Sequence, residues 1–340
     1  MFLFFNFDIT IGDNNEKRVK SNKTFETLTS LESILSIILI ILLGYILKEK
    51  KWFDDSFSNN ISKLIMNIAL PASIFVSVLK YLTIEKLVSL SGGLIYTFLS
   101  VIIGYIVAWI MVKILKIKSG RRGTFINTVV NANTIFIGLP LNIALFGNES
   151  LPYFLVYYIT NTVSTWAFGV ILIENDNPEK NKTKKGFNWK KLLPPPLLGF
   201  LVALVFLVFK IPVPDFINSA LAYTGNIVTP LSLIYIGIVL SNAGLKSIHF
   251  DKDTIFALFG RFIISPCIMV ILIILGAKIS GIMPALESKT YIIQASAPAL
   301  AVLPILANES NGDVKYATNV VTTSTVLFAI VVAVITNLVR

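Results

Sequence analysis

One stretch of an otherwise apolar chain concentrates groups that could bind a solute: Asn131-Ala132-Asn133-Thr134-Ile135-Phe136-Ile137-Gly138-Leu139-Pro140-Leu141. A proline inside a helix removes one backbone donor and crowds the preceding turn. Gly138 lets the backbone unwind close by. Carbonyls and amides freed by such a break need partners, which a solute, an ion or water can supply. Asn131 and Asn133 offer both donors and acceptors beside it. Gln294-Ala295-Ser296-Ala297-Pro298 repeats the ingredients, with Gln294 and Ser296 ahead of Pro298. The predicted helix breaks are therefore at Gly138, Pro140 and Pro298. The candidate binding groups are Asn131, Asn133, Gln294 and Ser296. For either segment alone, a plain kink with its amide bonded to a neighbouring helix is the competing reading.

Few other groups could do chemistry. The single Cys267 and single His249 exclude a disulfide framework, a multi-histidine metal site and a His-based dyad. All 19 acidic residues fall in the first 30 residues, in predicted loops or near span ends. Proton transfer through a buried carboxylate is therefore not expected, and no catalytic set for an intramembrane enzyme is present. Arg261 is the one charge well inside an apolar segment. It is read either as a snorkelling or packing arginine or as a counter-charge for an anion. Asn161 is a further candidate for lining a cavity. Thr162, Ser164, Thr165, Thr322, Ser324 and Thr325 are expected to bond helix to helix.

The elements that position these groups follow from composition. Hydrophobic residues make up 55% of the chain and charged ones 14%, and mean hydropathy is +0.77. A soluble chain carries about 25% charged residues. Continuous apolar runs, rather than alternating ones, predict helices spanning a bilayer rather than a β-barrel. Ten are predicted, spans 1 to 10: 33–47, 61–79, 87–114, 124–146, 153–173, 192–209, 216–240, 254–276, 284–306 and 314–339. A leader over 1–32 and a polar linker over 174–191 flank the first five. Loops after odd-numbered spans hold 17 Lys and Arg against five after even-numbered spans. That places both termini outside and the linker in the cytoplasm. The net charge of +10 thus reads as membrane orientation, and no nucleic-acid partner is expected.

The two halves repeat. Leu70-Pro71-Ala72-Ser73 matches Thr229-Pro230-Leu231-Ser232 at an offset of 159. Thr162-Val163-Ser164-Thr165 matches Thr322-Thr323-Ser324-Thr325, and Asn148-Glu149-Ser150 matches Asn308-Glu309-Ser310, both at 160. Pro140 then pairs best with Pro298, with Pro304 as the alternative. Five spans per half is an odd number, so the second half enters from the opposite side: an inverted repeat, as in many secondary transporters.

Asn133-Thr134-x-Phe136-Ile137-Gly138-Leu139-Pro140-Leu141 resembles the fourth-span signature of the auxin efflux carrier family, which includes PIN-formed carriers and bacterial malate and malonate permeases. Thr229–Leu240 resembles its seventh span, and Arg261 followed by Pro266 its eighth. Ala297-Pro298-Ala299 with Asn308-Glu309-Ser310 resembles its end. Ile135 departs from the pattern, since glycine is frequent there. The resemblance implies a fold similar to sodium/proton antiporters and bile-acid symporters. Broken spans 4 and 9 cross, spans 1, 2, 6 and 7 form a scaffold that dimerises, and spans 3–5 and 8–10 form a moving transport domain. It implies a small organic anion bound near Asn133, with Ser73 facing it from span 2. It also implies a plasma-membrane, elevator-type carrier without a cofactor, and sodium coupling through carbonyls and hydroxyls is left open. The alternative is a carrier-like sensor that binds a sterol, lipid or metabolite without moving it.

Overall fold

A computed structural model describes residues 32–54, 56–176, 193–244 and 247–339, apart from 33–34. The leader and most of the linker lie outside the described residues. Within them every regular element is helical: α1 (35–49), α2 (Phe57–Tyr81), α3 (Ile84–Ile114), α4 (Arg122–Val130), α5 (Thr134–Phe146) and α6 (Asn148–Asn175). After the linker come α7 (Pro195–Val208), α8 (Asp215–Ala243), α9 (Lys252–Ile279), α10 (Ala285–Ser296), α11 (Leu303–Glu309) and α12 (Val314–Val339). Six of these stretches, in α2, α3, α6, α8, α9 and α12, are long and apolar enough to cross a membrane. Large apolar side chains face outward, such as Ile95, Ile102 and Trp109 on α3 and Ile271 and Ile274 on α9. Asparagines and threonines such as Asn127, Asn131, Asn161, Thr160 and Thr323 are buried. That inside-out distribution suits lipid as solvent and makes this a multi-pass membrane protein.

Prolines shape the helices without stopping them. Pro71, Pro140 and Pro266 each follow a widened π turn, at Ile65–Ala69, Thr134–Gly138 and Gly260–Ile264. A proline ring clashes with the carbonyl four residues back. Those carbonyls belong to Asn67, Phe136 and Phe262, the middle residue of each widened turn. A π turn moves that carbonyl aside and the helix continues. The corresponding Pro230 follows a one-residue irregularity at Ile227 in α8.

The true gaps lie elsewhere. Between α4 and α5 the chain is extended at Asn131–Asn133, and between α10 and α11 it leaves the helix after Ser296. Ala132 and Ala299 form an antiparallel bridge where the two extended pieces cross. This corrects the expectation of a break at Gly138 and Pro140, which lie inside α5. The widened turn has already relieved Pro140, whereas residues 131–133 are held open by partners described below. Pro140 and Pro298 do not take matching places: Pro140 is the seventh residue of α5, whereas Pro298 lies in the gap itself, and Pro304 is the second residue of α11.

Glycines set the closest helix approaches. A Cβ on Gly44 would lie 2.3 Å from the Ile234 carbonyl, and one on Gly237 would lie 2.1 Å from that of Ile41, so α1 and α8 touch backbone to backbone. Gly199 lays α7 on Pro71 of α2 in the same manner. Helix α2 packs on α7 and α8, while α3 packs on α4, α6 and α9. Helix α10 packs on α6 and α9, and α11 on α12.

Candidate functional site

The crossing point is built by polar side chains that take over lost helix hydrogen bonds. Asn161 of α6 pairs with both backbone groups of one residue: its Oδ1 accepts from Ala132 N at 2.9 Å, and its Nδ2 donates to Ala132 O at 3.0 Å. Asn133 N donates to Pro298 O at 2.8 Å. Ala299 N donates to Ser324 Oγ of α12 at 3.2 Å. With these bonds an extended backbone can persist away from water.

Beside the crossing lies a cavity of about 360 Å³. Its polar lining includes Ser62 of α2, Asn133, Thr134, and Tyr158, Thr162 and Thr165 of α6. Trp166, the Pro194-Pro195 pair at the start of α7, and Leu300–Val302 supply apolar walls. Among the described residues, none that lines it is charged. Asn133 has a divided role: its Oδ1 caps α5 by accepting from Phe136 N at 3.3 Å, while its Nδ2 is buried without a partner. A donor of that kind, at the positive end of a helix and with no carboxylate nearby to compete, suits an anionic oxygen.

The other predicted residues fall in different places. Asn131 is spent on structure: its Nδ2 donates to Asn127 Oδ1 at 2.8 Å and its Oδ1 accepts from Ser164 Oγ. Gln294 reaches across the gap, with Nε2 donating to Gly138 O at 2.9 Å, and its Oε1 is buried without a partner. Gly138 is needed for this, because a Cβ there would lie 2.2 Å from Gln294 Oε1. Ser296 donates back to Ile292 O at 2.7 Å within its own helix. Ser73 does not line the cavity: it abuts Gly225 of α8, and α2 presents Ser62 and Met66 to the cavity instead. Eleven residues separate Ser62 from Ser73, about 16 Å along a helix. Arg261 is fully buried in the widened turn of α9. It donates to Ser265 Oγ at 2.6 Å and to the carbonyl of Ala295, while Nε and Nη1 have no partner. It also lies off the cavity lining.

Tyr158 and Trp166 were not anticipated. The signal was present, since Tyr158, Asn161, Thr162, Thr165 and Trp166 are spaced i, i+3, i+4, i+7 and i+8, which is one helix face.

A multi-pass helical bundle whose interrupted helices cross beside a cavity of mixed polar and apolar lining has the architecture of a membrane carrier. The chain belongs to the membrane transport protein family of PIN-like carriers, whose sequence profile matches residues 29–336. It is similar to an uncharacterised transporter of Methanothermobacter thermautotrophicus, 24% identical over 84% of this chain and 90% of that one. It is also similar to an uncharacterised transporter of Methanocaldococcus jannaschii, 26% identical over 86% and 93%. The family and these relatives make it a membrane transporter and not an enzyme.

Proposed function

We propose that the protein carries small organic anions bearing a carboxylate, with the anion seated against Asn133 at the N-terminus of α5. The buried, unpartnered Asn133 Nδ2 at the wall of an uncharged polar cavity is the observation that carries this reading. Ten spans in two inverted halves, over residues 33–173 and 192–340, account for the paired gaps and the matched glycine contacts of α1 with α8 and α7 with α2. In this reading α1, α2, α7 and α8 are a scaffold that dimerises in the plasma membrane. The remaining helices move against it as an elevator, with both termini outside and the linker in the cytoplasm. No cofactor takes part.

Purified protein in liposomes should take up a labelled carboxylate saturably, tested with and without sodium. Losing a hydrogen bond to a charged partner costs about 1.5–3 kcal/mol, so Asn133→Ala should weaken apparent affinity roughly 10- to 100-fold. Unchanged affinity in that variant sinks the site assignment. Tight binding with no flux would point to a sensor.

A further inference from the structure

Among the described residues, three side chains of Asp, Glu, Lys or Arg type are buried: Arg261, Glu287 and Asp253. Asp253 sits by Arg121 at 3.4 Å. Arg261 and Glu287 remain. Glu287 lies near a span end, as expected, yet is only 2% exposed, which removes the ground on which proton transfer through a buried carboxylate was not expected. Its position in the first turn of α10 concealed this.

The carboxyl has been given a built environment. Tyr291, one turn on, donates its hydroxyl to Glu287 Oε1 at 2.9 Å. Gly93 of α3 makes the room, since a Cβ there would lie 2.0 Å from Tyr291 Oη and 2.5 Å from Glu287 Oε1. Thr290, on the same side of α10, has a buried hydroxyl without a partner. Among the described side chains, the neighbouring elements bring no cation to it. Helix α6 brings Tyr153 and Glu149, and Tyr157 of the same helix lies beside Arg261. Helix α5 has no titratable residue, and those of α12, Lys315 and Tyr316, lie in its first turn. On α9, Lys278 is exposed and Arg261 bonds Ala295 O, eight residues or about 12 Å further along α10 than Glu287. Tyr96 of α3 packs on Gly276 of α9. Lys289 follows Glu287 by two residues, about 200° around the helix.

Moving net charge through low dielectric is expensive, so a translocating unit is best kept neutral. One buried cation can balance one buried anion. We infer that Glu287 is a proton-binding site and that one proton accompanies each monovalent anion. In the loaded unit the anion balances Arg261 and Glu287 is a neutral acid, its Oε2 carrying the proton while Oε1 keeps the tyrosine hydrogen bond. After release of the anion and of that proton on the far side, ionised Glu287 balances Arg261 for the return. This rests on the anion-carrier reading above, but the site itself can be tested without it.

The first measurement is pH-difference infrared spectroscopy of the purified protein without any solute. It should show a protonated carboxyl band that titrates with pH, absent in Glu287→Gln and displaced in its pH midpoint in Tyr291→Phe. No titrating band in the wild-type protein, or the same band in both variants, overturns the proton site. The Tyr291→Phe displacement keeps the test decisive if Glu287→Gln does not fold. The second measurement uses liposomes containing a pH-sensitive dye. Carboxylate uptake should acidify the lumen with about one proton per anion, and Glu287→Gln should abolish the acidification. Anion flux without proton flux overturns the coupling. Failure of every carboxylate to move, with the infrared band intact, counts against the anion reading and leaves the proton site standing.

Discussion

At the residue scale the crossover depends on Asn161. One side chain satisfies both backbone polar groups of Ala132, a fully buried residue. Asn161→Ala would orphan a buried donor and a buried acceptor at about 1–3 kcal/mol each. Its melting temperature in detergent should fall by several degrees, with expression reduced more than in Asn133→Ala. Asn161→Asp restores only the acceptor and should fall between. An unaltered melting temperature in Asn161→Ala would show that the clamp is dispensable. The sequence picked out Asn131 and Asn133 together, since an amide beside a gap offers donors and acceptors. It could not separate Asn133 from Asn131, because that distinction depends on Tyr105, Asn127 and Ser164, which reach Asn131 from two other helices and its own. Ser73 failed for a related reason. Its repeat partner fixes its register along α2 but not which neighbour its face meets.

At the scale of elements, apolar runs gave helix positions well, since a run long enough to span lipid has few alternatives. The gaps were less legible. Proline acts on the carbonyl four residues upstream, and a widened turn absorbs that strain, so the residue that seems to break α5 only widens it. What opens the chain at Asn131–Asn133 is help from other elements, invisible in a local pattern. The loops between elements are tied as well. Arg121, between α3 and α4, reaches Asp251 at 2.7 Å and Asp313 at 2.6 Å, and stacks on Tyr316 at 4.8 Å. Burial pushes the Asp251 carboxyl up, but hydrogen bonds from Thr254 and Arg121 outweigh it and hold the group below its ordinary value. A depressed carboxyl stabilises the fold above its unfolded pKa of about 4, and that contribution fades as pH falls through the folded value. The melting temperature should therefore drop below about pH 4. Asp251→Asn should flatten that drop, and an identical acid profile in the variant would refute the assignment.

For the whole molecule, the decisive contact joins the proposed scaffold to the proposed transport domain. Phe136 of α5 lies against Tyr235 of α8, with ring centroids 4.3 Å apart. An elevator must part them. In a Cys267→Ser background, paired cysteines replacing Phe136 and Tyr235 should form a disulfide that stops flux, with reductant restoring it. Flux that persists in the oxidised pair would exclude sliding at this interface. The repeat was read from the chain because three short matches keep nearly one spacing. The fourth match does not hold its place along the helices: Pro298 lies in the gap between α10 and α11, whereas Pro140 lies inside α5.

The widened turns carry a consequence for comparing relatives. Each holds one residue more than an α-helical turn, and everything after it is rotated by about 100° relative to an uninterrupted helix. The widened turn of α6 at Ser164–Gly169 has no proline after it, but at Ile65–Ala69 and Gly260–Ile264 losing the proline removes the steric reason for the extra residue. Relatives that lack a counterpart of Pro71 or Pro266 should therefore show a one-residue deletion within 65–69 or 260–264, even though both stretches lie inside membrane helices where alignments ordinarily forbid gaps. Single-residue gaps placed there, and not pushed into the nearest loop, would keep the lipid-facing and cavity-facing positions of each helix in correspondence across the family.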